Sequence, residues 1–234
     1  MATEQLFQID KENLPILDEI FSSLTKMDQT VLREKFGTKV EELKQQVKDN
    51  FQPIGILKRC KIENITEDEI TLNNGTVFSG KFPDYYIRTC SELAVYQITI
   101  GEPQQAEFTD SVFDEYIVDA WKSAFIESAF FQFYQLCRAQ ITAEGNFTLP
   151  EFSPGYEGFP LENQRQLFDI FTENNLGLTL SPQFLMLPLK SLSGLIGITK
   201  QKPTDEYNPC EICGMQNDCT YSGKCSYRTA LYSS

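Results

Sequence analysis

The stretch from residue 110 to residue 141 is apolar on nearly every side of a helical wheel, and this constrains the fold more than any other feature. Phe113, Ile117, Ala120, Ala124 and Ser128 fall on one stripe, mostly small enough for another element to approach closely. Trp121, Phe125, Phe130, Phe131 and Phe133 cover the other sides. Such a helix must be surrounded, so it reads as the central helix of the domain. Its aromatic run reads as core packing before it reads as a cofactor box. The rest of the chain can supply the surroundings. It has 234 residues, 41% of them hydrophobic, which is enough for one sizeable core or one core with a small appendage. With 18 phenylalanines and a single tryptophan, that core is expected to be phenylalanine-rich.

Upstream, residues 13–23 and 27–47 carry helical spacing, the second through Met27, Val31, Leu32, Phe36, Val40, Leu43 and Val47. From Pro53 the pattern turns to strands, with Asn73-Asn74-Gly75 as a tight turn between two of them. Residues 93–100, LAVYQITI, read as a strand buried on both faces. Residues 149–160 contain three prolines and two glycines and read as a loop of enforced shape. A helix is expected from Asn163 to Asn174. The segments 178–187 and 192–198 then bracket a Pro-Leu-Lys-Ser turn. Beyond residue 200 the chain turns polar and loses its period. The expected division is a domain over 1–200, with 1–50 as its N-terminal helical part, followed by a tail over 201–234.

Composition excludes several chemistries. There is no histidine, so neither a Ser-His-Asp nor a Cys-His arrangement can be built, and no other nucleophile–base pair is visible. The net charge of −13, without a local basic patch, disfavours nucleic acid and reads as a solubilising surface. No apolar run reaches the roughly 18 residues of a membrane span, and the N-terminus lacks the pattern of a secretion signal. A cytoplasmic protein without nucleic-acid or membrane partners is expected.

Residues 153–198 carry a resemblance. Ser153-Pro154-Gly155-Tyr156 precedes a helix with a Phe-rich face, then Leu178-Thr179-Leu180-Ser181, then Met186-Leu187-Pro188-Leu189-Lys190-Ser191-Leu192-Ser193-Gly194. This order resembles the activation (reactivation) domain of cobalamin-dependent methionine synthase, in a free-standing form with a C-terminal four-cysteine motif. In that family a Pro-Gly-Tyr loop precedes a helix, a Leu-Thr strand and a Met-x-Pro-x-x-Ser-x-Ser-Gly turn. Thr99-Ile100-Gly101 and the long helix agree more loosely, so the resemblance covers about residues 30–200.

The resemblance implies an α+β fold with helices on a curved antiparallel sheet, docking over the corrinoid of a cobalamin-dependent methyltransferase or another corrinoid-binding protein. There it would support reductive remethylation of inactive cobalamin, with S-adenosylmethionine as donor, as an accessory activator. It implies that Pro154, Gly155 and Tyr156 line the donor site, beside Ser153, Ser193 and Gly194. One position departs: the family has an arginine three residues before Pro-Gly-Tyr, where this chain has Glu151. A carboxylate there repels the donor's carboxylate, so weak or absent S-adenosylmethionine binding is expected. Arg165 or Lys190 would be the substitutes.

Of seven cysteines, Cys60, Cys90 and Cys137 stand singly in apolar segments and read as small buried hydrophobes. Cys210, Cys213, Cys219 and Cys225 crowd the C-terminus, spaced by two, five and five residues. That set can ligate a [4Fe–4S] cluster or a structural zinc. The spacing fits no ribbon of paired knuckles, and it favours the cluster as a path for electrons. The alternative is a non-redox module capping a cobalamin protein, its tail held by zinc.

Overall fold

The computed structural model describes residues 3–27, 29–82, 89–105, 109–156, 158–171 and 176–202. Its centre is a seven-stranded antiparallel sheet, joined by helices in the mixed arrangement expected. The strands are β1 (Glu4–Gln8), β2 (Ile54–Ile65), β3 (Glu69–Leu72), β4 (Val77–Ser79), β5 (Cys90–Thr99), β6 (Phe147–Phe152) and β9 (Ser191–Thr199). The order is β4-β3-β2-β5-β9-β6, with β1 paired to the first residues of β2. A separate ribbon joins β7 (Thr179–Leu180) to β8 (Met186–Leu187). A register shift between Ile62 and Asn64 breaks the β2–β3 ladder. Such a bulge bends a strand and raises its local twist.

Alternation along the strands divides the interior in two. On one face Ala94, Tyr96, Ile98, Ile196 and Ile198 meet the helices α1 (Leu17–Thr25), α2 (Gln29–Phe36), α3 (Lys39–Asn50) and α4 (Val112–Ala143). On the other, Ile56, Leu93, Val95 and Leu195 meet Phe78, Phe152, Phe159 and the short helix α5 (Gln164–Ile170).

The long helix is as central as its composition demands. Its small-residue stripe receives α1: Ser128 Oγ donates to the carbonyl of Pro15, and Trp121 stacks on Phe21 with centroids 3.6 Å apart. Phe130 and Phe133 pack on Tyr96 at 5.2 and 5.8 Å, against the sheet. Gly55 admits Phe133, since a Cβ there would stand 2.6 Å from its ring.

Several expectations need correction. The helix expected over 27–47 is two, because Gly37, at φ 60°, ends α2 in the left-handed region. Its apolar positions are accordingly not all inside: Leu32, Val40, Leu43 and Val47 are buried, whereas Val31 and Phe36 are exposed. The segment 149–160 is not all loop, since β6 runs into it as far as Phe152. The helix expected to reach Asn174 stops at Ile170. Strand structure over 178–187 is limited to two pairs of residues. Cys60 and Cys137 are buried as expected, but Cys90 is only partly so.

Candidate functional site

β6 lies at the sheet edge, and the chain leaves it at Ser153 through two consecutive turns. Pro154 and Gly155 occupy the centre of the first, closed by Tyr156 N–H donating to Ser153 C=O at 3.0 Å. Proline presets the first central position. Gly155, at φ 95°, supplies the positive value that the second central position of a type II turn requires. In the second turn Phe159 N–H donates to Tyr156 C=O at 2.9 Å, and Gly155 N–H donates to Phe159 C=O at 2.8 Å. Gly158 brings the loop against the β3–β4 hairpin: Lys81 N–H donates to its carbonyl at 2.7 Å, and a Cβ at 158 would stand 2.9 Å from Lys81 O. Phe159 anchors the loop inside, stacked on Phe152 at 5.1 Å. Between loop and hairpin runs an open groove of about 680 Å³, lined by Tyr156, Pro160 and Leu161 on one side and by Asp68 and Lys81 on the other.

The two motifs singled out in the sequence meet here. A Cβ on Gly194 would stand 2.9 Å from Tyr96 Oη and 3.1 Å from Phe152 O, and closer still to Ser153 Oγ. Gly194 therefore makes room for the start of the Pro-Gly-Tyr loop. Ser193, its neighbour, points to the other face of the sheet, where its hydroxyl donates to Gln164 Oε1 at 3.0 Å. Ser191, the first serine of that motif, donates to the Pro188 carbonyl at 2.7 Å and lies 2.8 Å from Thr99 Oγ1, which fastens β9 to the end of β5.

Glu151 is 6% exposed, and its carboxylate is turned into the protein. Tyr156 Oη donates to Oε1 at 2.8 Å, and Ser153 Oγ donates to Oε2 at 3.3 Å. Tyr96 Oη lies 3.4 Å from Ser153 Oγ. Because the serine proton goes to Glu151, Tyr96 is left as the donor in that pair. The residue standing in place of the expected arginine thus acts as an internal acceptor that fixes the Tyr156 ring. Tyr96 and Gln164 belong to this constellation without having been singled out from the sequence. One sits inside an apolar strand and the other at the start of a helix, and neither type or spacing advertises a site.

The two substitute cations are placed differently. Lys190 Nζ lies 2.8 Å from Asp119 Oδ1 and 2.8 Å from Ser123 Oγ, which ties the β8–β9 turn to α4. Arg165 is exposed at the start of α5, its guanidinium 5.8 Å from the centroid of Phe184. Burial pushes the Cys60 and Cys137 thiols up, and the Cys90 thiol up to about 12. All three are protonated near neutrality and none is a ready nucleophile. Among the described residues no group of three or more His, Cys, Asp or Glu side chains could hold a metal. Cys210, Cys213, Cys219 and Cys225 lie outside the described residues. Among those described, no helix is long and apolar enough to cross a membrane.

No protein-family model and no curated protein matches the chain. Among solved structures, the reactivation domain of MetH bound to AdoHcy matches with a TM-score of 0.58. The match covers 86% of this chain and 80% of that one at 14% sequence identity. At that identity the likeness establishes the fold: the chain has the architecture of the MetH reactivation domain.

Proposed function

We propose that this protein is a partner of a corrinoid-carrying protein, such as a cobalamin-dependent methyltransferase, and supports reductive reactivation of its cobalamin. One observation carries the reading. The Pro-Gly-Tyr loop and the Ser-x-Ser-Gly segment, some forty residues apart, are brought into contact at Ser153 and Gly194, on a fold like that of the MetH reactivation domain. A reactivation domain has little bond chemistry of its own to perform. It has to dock, orient and exclude, while the corrin changes oxidation state. A rigid loop pinned by Phe159 and by the Glu151–Tyr156 bond suits that task.

The residues fit an S-adenosyl donor only in part. Pro154, Gly155 and Tyr156 offer a wall beside Gly194, whereas Ser193 faces the other side of the sheet. Glu151 is engaged inside and offers a carboxylate ligand no cation. Lys190 is committed to Asp119, which leaves Arg165 as the substitute to examine. Weak or absent binding of S-adenosylmethionine is the expected result. Electrons would enter through a [4Fe–4S] cluster on Cys210, Cys213, Cys219 and Cys225, which supplies one-electron transfer at low potential.

The inward Glu151 also favours a second reading, a non-redox module that caps a cobalamin protein and carries a zinc-bound tail. Titration against corrinoid proteins in defined cobalt oxidation states tests the shared part. A complex in at least one state is expected, and its absence in all states overturns both readings. Acceleration of cobalt reduction, or its lack, then separates them.

A further inference from the structure

Gln97 is completely buried in the second half of β5, and among the described residues neither atom of its amide has a hydrogen-bond partner. It follows Leu93 and Val95 at intervals of two, so it lies on the sheet face covered by α5. Its cross-strand neighbours are Ile56 on β2 and Ser193 on β9. Residues directly opposite in an antiparallel ladder share a face, so Ser193 stands beside it. Ser193 is 5% exposed, and its hydroxyl gives its proton to Gln164 Oε1, which leaves it able only to accept. The ladder thus sets an unpaired amide next to a hydroxyl with lone pairs to spare, under a helix start that is itself polar.

A buried primary amide with neither donor nor acceptor engaged is rarely retained in a native core, because an apolar side chain of the same length would avoid the desolvation cost. We propose that Gln97, Ser193 and Gln164 form an internal hydration site, in which at least one ordered water accepts from Gln97 Nε2 and donates to Ser193 Oγ. Buried waters typically satisfy such clusters with two to four polar contacts. The site has a structural task. Asn163 ties the start of α5 to β4, with Nδ2 donating to Ser79 O at 2.8 Å and Ser79 N–H donating to Oδ1 at 3.0 Å. Gln164 and the water tie the same helix start to β9 and β5. The turn leaving the Pro-Gly-Tyr loop is thereby fixed to three strands.

The test pairs a crystal structure at a resolution that shows waters with the unfolding midpoints of Gln97→Met, Ser193→Ala and the double variant. The expected map has ordered density within hydrogen-bond distance of the Gln97 amide and of Ser193 Oγ. The expected midpoints fall for each single variant, and the double variant loses less than the sum. A map with no density there, and Gln97→Met at least as stable as the wild type, overturns the proposal. Where a variant fails to fold, or map and midpoints disagree, the wild-type density decides.

Discussion

Gly194 has no space for a β-carbon, because Ser153 Oγ, Tyr96 Oη and Phe152 O already fill it. Gly194→Ala must push the loop start outward or strain β9, and overpacking of this kind costs roughly 1–3 kcal/mol. A lower denaturation midpoint, with faster amide exchange at Tyr156 and Phe159, is the expected measurement. Glu151 supports a finer comparison. Glu151→Gln keeps an oxygen that can accept from Tyr156, whereas Glu151→Ala leaves the Tyr156 and Ser153 hydroxyls without it. An unsatisfied buried donor costs about 1–3 kcal/mol, so the alanine variant should be clearly less stable than the glutamine variant. The sequence made these positions legible only as types. Pro154 and Gly155 announce a turn because their backbone needs are local. That Glu151 points inward depends on Tyr156, five residues on, and on Tyr96, which arrives from another strand.

At the scale of elements, what was legible followed from period and length. α4 was plain because apolar residues on nearly all sides leave no alternative to a surrounded helix. β1 was not, since EQLFQ is short and polar and buries little beyond Phe7. It exists because β2, some fifty residues away, offers an open edge. β6 was hidden by Pro150, which argues against a central strand but is tolerated at an edge. The ladder there shifts register between Thr148 and Glu151. The start of α4 carries its own prediction. Ser111 Oγ accepts from Asp114 N–H at 3.1 Å, and Asp114 Oδ2 accepts from Asp110 N–H at 3.1 Å. Ser111→Ala should cost about 1 kcal/mol. For Asp114, burial pushes the carboxyl up but is outweighed by the Asp110 N–H and by Lys39, which hold it below the usual carboxylate range. A depressed folded-state pKa means that the stabilisation is present above the unfolded value, near ~3.9, and is lost as pH falls through the folded one. The wild type should therefore lose stability in acid more steeply than Asp114→Asn, as read from unfolding midpoints at a series of pH values between about 5 and 2.

At the scale of the whole molecule, the source of electrons separates the two proposed readings. Among the described residues, both apolar clusters lie within residues 7–198. We predict that a metal at Cys210, Cys213, Cys219 and Cys225 is not needed to hold the two faces of the sheet together. Removing it should leave the main unfolding transition nearly unchanged, whichever metal it is. The identity of a metal bound there would, in contrast, separate the two proposed readings. Four thiolates can hold iron and sulfide at the low potentials that cobalamin reduction requires, whereas zinc has no redox chemistry. Protein prepared without oxygen should contain about four irons and four sulfides per chain, with broad visible absorption that bleaches on reduction. Replacing any one of the four cysteines by serine should release the metal and abolish electron transfer to a corrinoid partner. The same variant should still bind that partner, because docking is assigned to the loop and sheet. One zinc and no iron would make the tail a structural clip and leave capping as the function. Loss of docking in the serine variants would instead place the cysteine segment within the interface itself.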